Sequence, residues 1–272
     1  MKRVLLALAA LPSLAFAAPE RVVSLGGDVT EIAVALGAES TLVGRDATSL
    51  YPATVKKVPD VGYLRQLSAE GVLALRPELI LASEEAGPPV VLKQLENSGV
   101  KVADIPAPKK ISDIPAKVTA VANALDKRSQ GEALNQRLNK EIAALPKTTL
   151  NKKVLFIMSH GGMSAMAAGQ GTAADAAIQA AGLKNAMQGF VRYQTLSQEG
   201  VIQSQPDLVL VTTDGVATLG GKDKVWSLPG LAQTPAGKNQ QLMVVDDMAL
   251  LGFGPRTPET VRVLRERAEQ LP

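Results

Sequence analysis

The chain has 272 residues, 46% hydrophobic and 20% charged, with no cysteine and one histidine, His160. That length can bury a real core in one or two domains, while zero cysteine excludes disulfides, iron–sulfur clusters and thiol catalysis, and one imidazole excludes sites that need several. The net charge of +3 is spread without a basic run and aromatics are only 3%, which argues against nucleic acid as a partner, since that needs clustered Lys/Arg or stacking rings.

In chain order, residues 1–17 read as a signal peptide. Lys2 and Arg3 form a basic start, Val4–Leu11 an apolar stretch, Pro12 breaks it, and Ala15-Phe16-Ala17 gives the small-x-small cleavage pattern. The apolar run is far short of the ~20 residues a membrane span requires, so no direct membrane insertion is expected. Cleavage after Ala17 leaves 255 residues and, by removing two positive charges from +3, a net charge of +1. The expected product is an exported, unanchored protein.

Arg21–Leu25 and Thr41–Gly44 have the composition of strands around a helix near Thr30–Leu36, and Val100–Ala103 of another strand. Lys153–Ile157, Leu208–Val211 and Leu242–Val245 are strand-like in the second half, with helices near Ala173–Ala181 and Thr257–Gln270. An internal repeat links the halves. Leu67-Ser68-Ala69-Glu70-Gly71-Val72 matches Leu196-Ser197-Gln198-Glu199-Gly200-Val201, and Pro77-Glu78-Leu79-Ile80-Leu81 matches Pro206-Asp207-Leu208-Val209-Leu210, all at an offset of 129 residues. Each copy reads as a Ser-capped short helix with an acidic third position, the capping-box pattern, followed by a Pro-acidic turn and a buried parallel strand.

Between the halves, Ile114, Val118, Val121, Leu125, Leu134, Leu138, Ile142 and Leu145 keep helical spacing, with Pro115 near the start and Pro146 at the end. Unbroken, this helix would run roughly 48 Å at ~1.5 Å per residue, with Gly131 a place to bend. The fold class expected is α/β: two Rossmann-like lobes with mainly parallel sheets, joined by one long interlobe helix, with a ligand cleft between them. The divisions are a signal peptide over 1–17, an N-terminal lobe over 18–110, the interlobe helix over 111–146 and a C-terminal lobe over 147–272.

Three motifs give this architecture a resemblance: Val61-Gly62-Tyr63-Leu64-Arg65 running into Leu67-Ser68-Ala69-Glu70-Gly71, then Ala168-Gly169-Gln170-Gly171-Thr172-Ala173-Ala174-Asp175, then Gly252-Phe253-Gly254-Pro255-Arg256-Thr257-Pro258. Together, over essentially the whole mature chain, they resemble the periplasmic haem-binding proteins of bacterial haem-uptake ABC transporters, within the helix-linked class of substrate-binding proteins. The resemblance implies a periplasmic, monomeric carrier that takes haem as its transported ligand and delivers it to a membrane permease, with no catalysis. A ferric siderophore or corrinoid carrier of the same fold is the alternative.

It also implies the site. A tyrosine at the place of Tyr63 binds the iron, and a phenolate oxygen suits ferric iron, a hard acid. Some family members are similar in supplying a histidine from the second lobe, here His160, which follows the Lys153–Ile157 strand. Arg65, Arg192 and Arg256 are candidates for the haem propionates, because guanidinium pairs with carboxylate through two parallel hydrogen bonds. At the repeat offset Tyr63 aligns with Arg192 and Leu64 with Tyr193, so the second lobe offers Arg192 and Tyr193 to the same cleft. Met163 and Met166 are candidates for an apolar porphyrin wall. Glu70 and Glu199, equivalent in the repeat, are placed where this transporter class docks on permease arginines. Gly169-Gln170-Gly171-Thr172 lacks a P-loop lysine and reads as a turn with Thr172 capping the next helix. A serine hydrolase is disfavoured by the absence of a Gly-x-Ser-x-Gly elbow.

Overall fold

The structure, a computed structural model, describes residues 18–161 and 163–272; the expected signal segment 1–17 lies outside the described residues. The first half forms a four-stranded sheet of β1 (Val22–Leu25), β2 (Leu42–Arg45), β3 (Leu79–Ser83) and β4 (Lys101–Ile105), in the order β2-β1-β3-β4 and parallel throughout. Every residue of β1 and β3 is buried, as a parallel strand covered on both faces requires.

The second half has β5 (Lys153–Met158), β6 (Met166–Ala168), β7 (Lys184–Asn185), β8 (Tyr193–Thr195), β9 (Leu208–Thr212) and β10 (Leu242–Val245). Its order is β10-β9-β5-β6-β8, with β7 also on β5. β10, β9 and β5 are parallel, as expected; β6 and β8 extend the sheet antiparallel. The fold class is therefore two α/β lobes, the first parallel and the second mixed. Val22, Val29 and Leu79 of the first lobe share one hydrophobic cluster with Phe156, Leu208 and Val261 of the second, so the lobes are not beads on a string.

The helical link departs from expectation. Residues 114–145 are not one rod: Ile114–Ala124 and Arg128–Ala143 are two helices, separated at Asp126, which takes a left-handed φ of 55°. They pack antiparallel, with the Asn135 side-chain amide donating to Pro115 O at 3.1 Å and to Thr119 Oγ1 at 2.9 Å. Gly131 does not bend a helix. It sits where a Cβ would come within 2.5 Å of Ala122 Cβ, so the glycine lets the two helices touch. Ile114–Ala124 buries Ile114, Val118 and Val121 in the core beside the first sheet. The span between lobes is left to Arg128–Ala143, about 24 Å at ~1.5 Å per residue.

The repeated helices begin at serines as expected: Ser68 Oγ accepts from Gly71 N–H and Ser197 Oγ from Gly200 N–H. The reciprocal half of the capping box is absent. Glu70 and Glu199 are second in their helices, not third, and both point outward to solvent. Thr172 likewise caps the helix Ala173–Ala180, accepting from Asp175 N–H at 3.1 Å.

Among the described residues, two polar ties cross between the lobes. Lys117, only 1% exposed, pairs with Asp28 and donates to Gly252 O at 3.0 Å in the other lobe. Arg256 Nε donates to Glu31 Oε2 at 2.9 Å, its Nη2 reaches Glu31 Oε1 and Asp246 Oδ1, and its guanidinium stacks 3.8 Å from the Tyr51 ring centre.

Candidate ligand-binding site

A cleft of about 830 Å³ opens between the lobes. The carboxyl ends of the strands feed it, the usual place for ligands in open α/β sheets. Gly26 and Gly27 follow β1, Thr48 follows β2, Ser83 and Glu85 sit at the end of β3, Ala107 and Pro108 follow β4, Met158 and His160 end β5, and Asp247 and Met248 follow β10.

Of the residues singled out in the sequence, Tyr63, Arg65, His160, Arg192 and Tyr193 all line this cleft. Tyr63 projects from a loop tied on both sides. Ala47 N–H donates to Gly62 O at 2.8 Å, and Gly87 N–H donates to Leu64 O at 2.7 Å. Gly62 holds φ +95°, a conformation that glycine adopts without strain. Tyr63 remains exposed to the cleft, and Arg65 Nη1 donates to its phenol oxygen while Nη2 pairs with Glu85. Burial pulls the Arg65 pKa down, but the Tyr63 hydrogen bond and the Glu85 charge outweigh it and raise it. The guanidinium stays charged.

Arg192 and Tyr193 enter from the second lobe. Their loop is pinned by Gly169 N–H donating to Arg192 O at 2.7 Å and Arg192 N–H donating to Gln170 O at 3.0 Å. A Cβ on Gly169 would lie 2.4 Å from the Phe190 ring, so only glycine permits this approach. Tyr193 is half-buried, and burial pushes its phenol up to about 12, against an opposing hydrogen bond with Thr172 and with Glu85 adding to the rise. At neutral pH Tyr193 is a neutral ring and hydrogen-bonding group.

Three expected site residues are elsewhere. Arg256 does not line the cleft; its fork is filled by Glu31, which is 4% exposed on its side chain, and by Asp246. A propionate would have to displace a buried carboxylate, so the expectation of a ligand contact there is corrected to an interlobe tie. Met163 lies 55% exposed outside the cleft, and Met166 is within β6 and also off the cleft. The apolar wall comes instead from Leu64, Met158, Met248, Leu251 and Phe253. Position at the carboxyl end of a strand, or within three residues beyond it, is the sequence signal that could have found Met158 and Met248; Glu85 and Asp247 share it.

Asp247 is driven above the usual aspartate range, chiefly by burial and further by the Asp214 and Asp246 charges, with hydrogen bonds from Thr212 and Asp214 N–H opposing. A carboxyl raised in the folded state costs stability as pH rises through its folded pKa, and costs nothing below its unfolded pKa. Asp247→Asn is therefore expected to melt at a higher temperature than the parent at neutral pH. The difference should vanish below about pH 4, which paired melting curves would read.

This fold and cleft define a bilobal ligand-binding protein, and comparison with known proteins gives the family. The chain belongs to the periplasmic binding protein family, whose match covers residues 22–249. Members are extracytoplasmic binding components of transport systems, and among the described residues no helix is long and apolar enough to cross a membrane. The structure is similar to the periplasmic haem-binding protein RhuT of Roseiflexus sp. RS-1, at 41% identity and a TM-score of 0.87, covering 91% of this chain and 97% of that one. It is also similar to the periplasmic haem-binding protein BhuT in complex with two haems, at 43% identity and a TM-score of 0.83, with the same coverages of 91% and 97%. In sequence it is 29% identical to the vitamin B12-binding protein of Pectobacterium carotovorum subsp. carotovorum, over 79% of this chain and 76% of that protein.

Proposed function

We propose that this protein captures ferric haem in the periplasm, after removal of a signal peptide at Ala17, and hands it to the permease of an ABC importer without performing catalysis. The observation that carries this reading is Tyr63, held in an interlobe cleft with the Arg65 guanidinium against its oxygen. An anionic phenolate is a suitable hard ligand for ferric iron. His160, also at the cleft, is the candidate second ligand from the other lobe. Arg192 is the propionate candidate, since Arg65 already has both ends of its fork engaged and Arg256 is turned to Glu31. Tyr193 and the apolar wall would hold the porphyrin.

Glu70 and Glu199 project from equivalent helices of the two lobes, both exposed. Two rim carboxylates would orient a permease carrying arginines and speed encounter more than they raise affinity. The shared core and the ties at Lys117 and Arg256 favour small lobe movements, and the carrier acts as a monomer in this reading.

A corrinoid ligand is the second reading, motivated by the vitamin B12-binding relative; the haem-binding relatives are more similar, at 41% and 43% identity. Titration of the mature protein with haemin and, separately, with cobalamin decides between them. Saturable binding of haemin with a high-spin, phenolate-type ferric spectrum is expected. Saturation by cobalamin and none by haemin would overturn the haem reading.

A further inference from the structure

Glu85 has no part in the expected site, yet its carboxylate ends a chain that begins at the phenol oxygen. We propose that Glu85 is a positioning residue: it fixes Arg65 so that the guanidinium faces the Tyr63 oxygen, and thereby sets how firmly that oxygen holds iron. The inference deepens the haem reading and rests on it.

The geometry is specific. Arg65 uses one end of its planar fork on Tyr63 and the other on Glu85. The two loops that carry these groups are locked as one unit, because Gly87 N–H donates to Leu64 O at 2.7 Å and Leu67 N–H donates to Gly87 O at 3.0 Å. Glu85 N–H in turn donates to Ser83 Oγ at 3.3 Å at the end of β3. Strand β3 thus holds Glu85, Glu85 holds Arg65, and Arg65 holds the ligand oxygen. Arg65 and Glu85 are about half exposed, with side-chain exposures of 51% and 53%. Without an acceptor, a long arginine at that exposure samples many rotamers and leaves the phenol oxygen, or turns to an incoming carboxylate. Exposed ion pairs contribute little to stability, so the pair is better explained by orientation than by folding. Glu85 itself lines the interlobe cleft, which places its charge at the ligand cavity. Partners that orient a metal ligand typically change affinity by about 10–100-fold when removed.

The test uses haemin titration and the phenolate-to-iron charge-transfer band in the wild type, Glu85→Ala, Glu85→Gln, Arg65→Ala and the Arg65→Ala/Glu85→Ala double variant. Glu85→Ala is expected to weaken haemin binding by about tenfold or more and to shift the band, with an unchanged melting curve. Glu85→Gln keeps an oxygen that accepts from the guanidinium, and should restore both affinity and band position. On the Arg65→Ala background, Glu85→Ala should have no further effect. If Glu85→Ala matches the wild type, if Glu85→Gln fails to rescue, or if the two alanine changes are additive, the positioning role is overturned while the haem reading stands. If the wild type itself shows no saturable haemin binding, the haem reading falls and the Glu85 inference falls with it.

Discussion

Tyr63→Ala is expected to lose saturable haemin binding over the range in which the wild type is fully loaded, and to lose the phenolate-type ferric spectrum with it. Losing a hydrogen bond to a metal ligand costs about 10–100-fold in affinity, and removing the ligand atom itself must cost more. Tyr63→Phe separates the oxygen from the ring: it keeps the aromatic surface and lacks the donor atom, so it should behave like Tyr63→Ala in the spectrum. Tyr63 is exposed to the cleft and packs little of the core, so neither variant should lower the melting temperature appreciably. A Tyr63→Phe protein that keeps wild-type affinity and spectrum would remove Tyr63 from the iron and leave His160 as the candidate ligand. His160→Ala in the same titration completes the comparison.

The second large effect is on stability. Asp28→Ala is expected to destabilise the protein by about 3–5 kcal/mol, because it leaves the charge of the buried Lys117 without its partner. At roughly 2–4 °C per kcal/mol this lowers the melting temperature by roughly 6–20 °C. The double variant Asp28→Ala/Lys117→Met should recover most of that loss, since an apolar side chain at a buried position needs no counter-charge. Recovery will fall short by the unsatisfied Gly252 carbonyl, which accepts from Lys117 Nζ at 3.0 Å and whose desolvation costs about 1–3 kcal/mol. A double variant as unstable as Asp28→Ala would mean that the loss arises elsewhere, for instance at the N-terminus of the Gly27–Ala35 helix. The pair also lines the floor of the cleft, so the double variant loosens the tie between the lobes. Its haemin dissociation rate reports what that tie contributes to closure.

The reading of β3 and β9 from the sequence succeeded because a strand buried on both faces needs an unbroken apolar run, and Leu79–Ser83 and Leu208–Thr212 are buried at every position. The serine caps were legible for an equally local reason, each satisfying an N–H three residues on. The short strands β6, β7 and β8 were not, since two or three residues carry no period. Those strands set the loop that delivers Arg192 and Tyr193, although the repeat had placed both beside Tyr63 by its offset.

The interlobe segment shows the limit of periodicity. An apolar stripe every three to four residues marks a helix face, and it looks the same whether the helix continues or folds back on itself. Residues 125–127 contain neither proline nor glycine, and the break depends on Asp126 taking φ 55° while Ala122 and Gly131 pack together. Arg256 makes the same point for a charge. Its motif was legible, but its partner Glu31 is 225 residues away in sequence, and only the packed lobes decide whether the guanidinium meets a ligand or a buried carboxylate. By itself the sequence determined the two α/β lobes, their repeat and the strand cores, because each depends on neighbours in the chain. The tertiary structure decided the broken link, the role of Arg256, the methionines of the wall and the engagement of Glu85, because those depend on groups that only folding brings within a few ångströms.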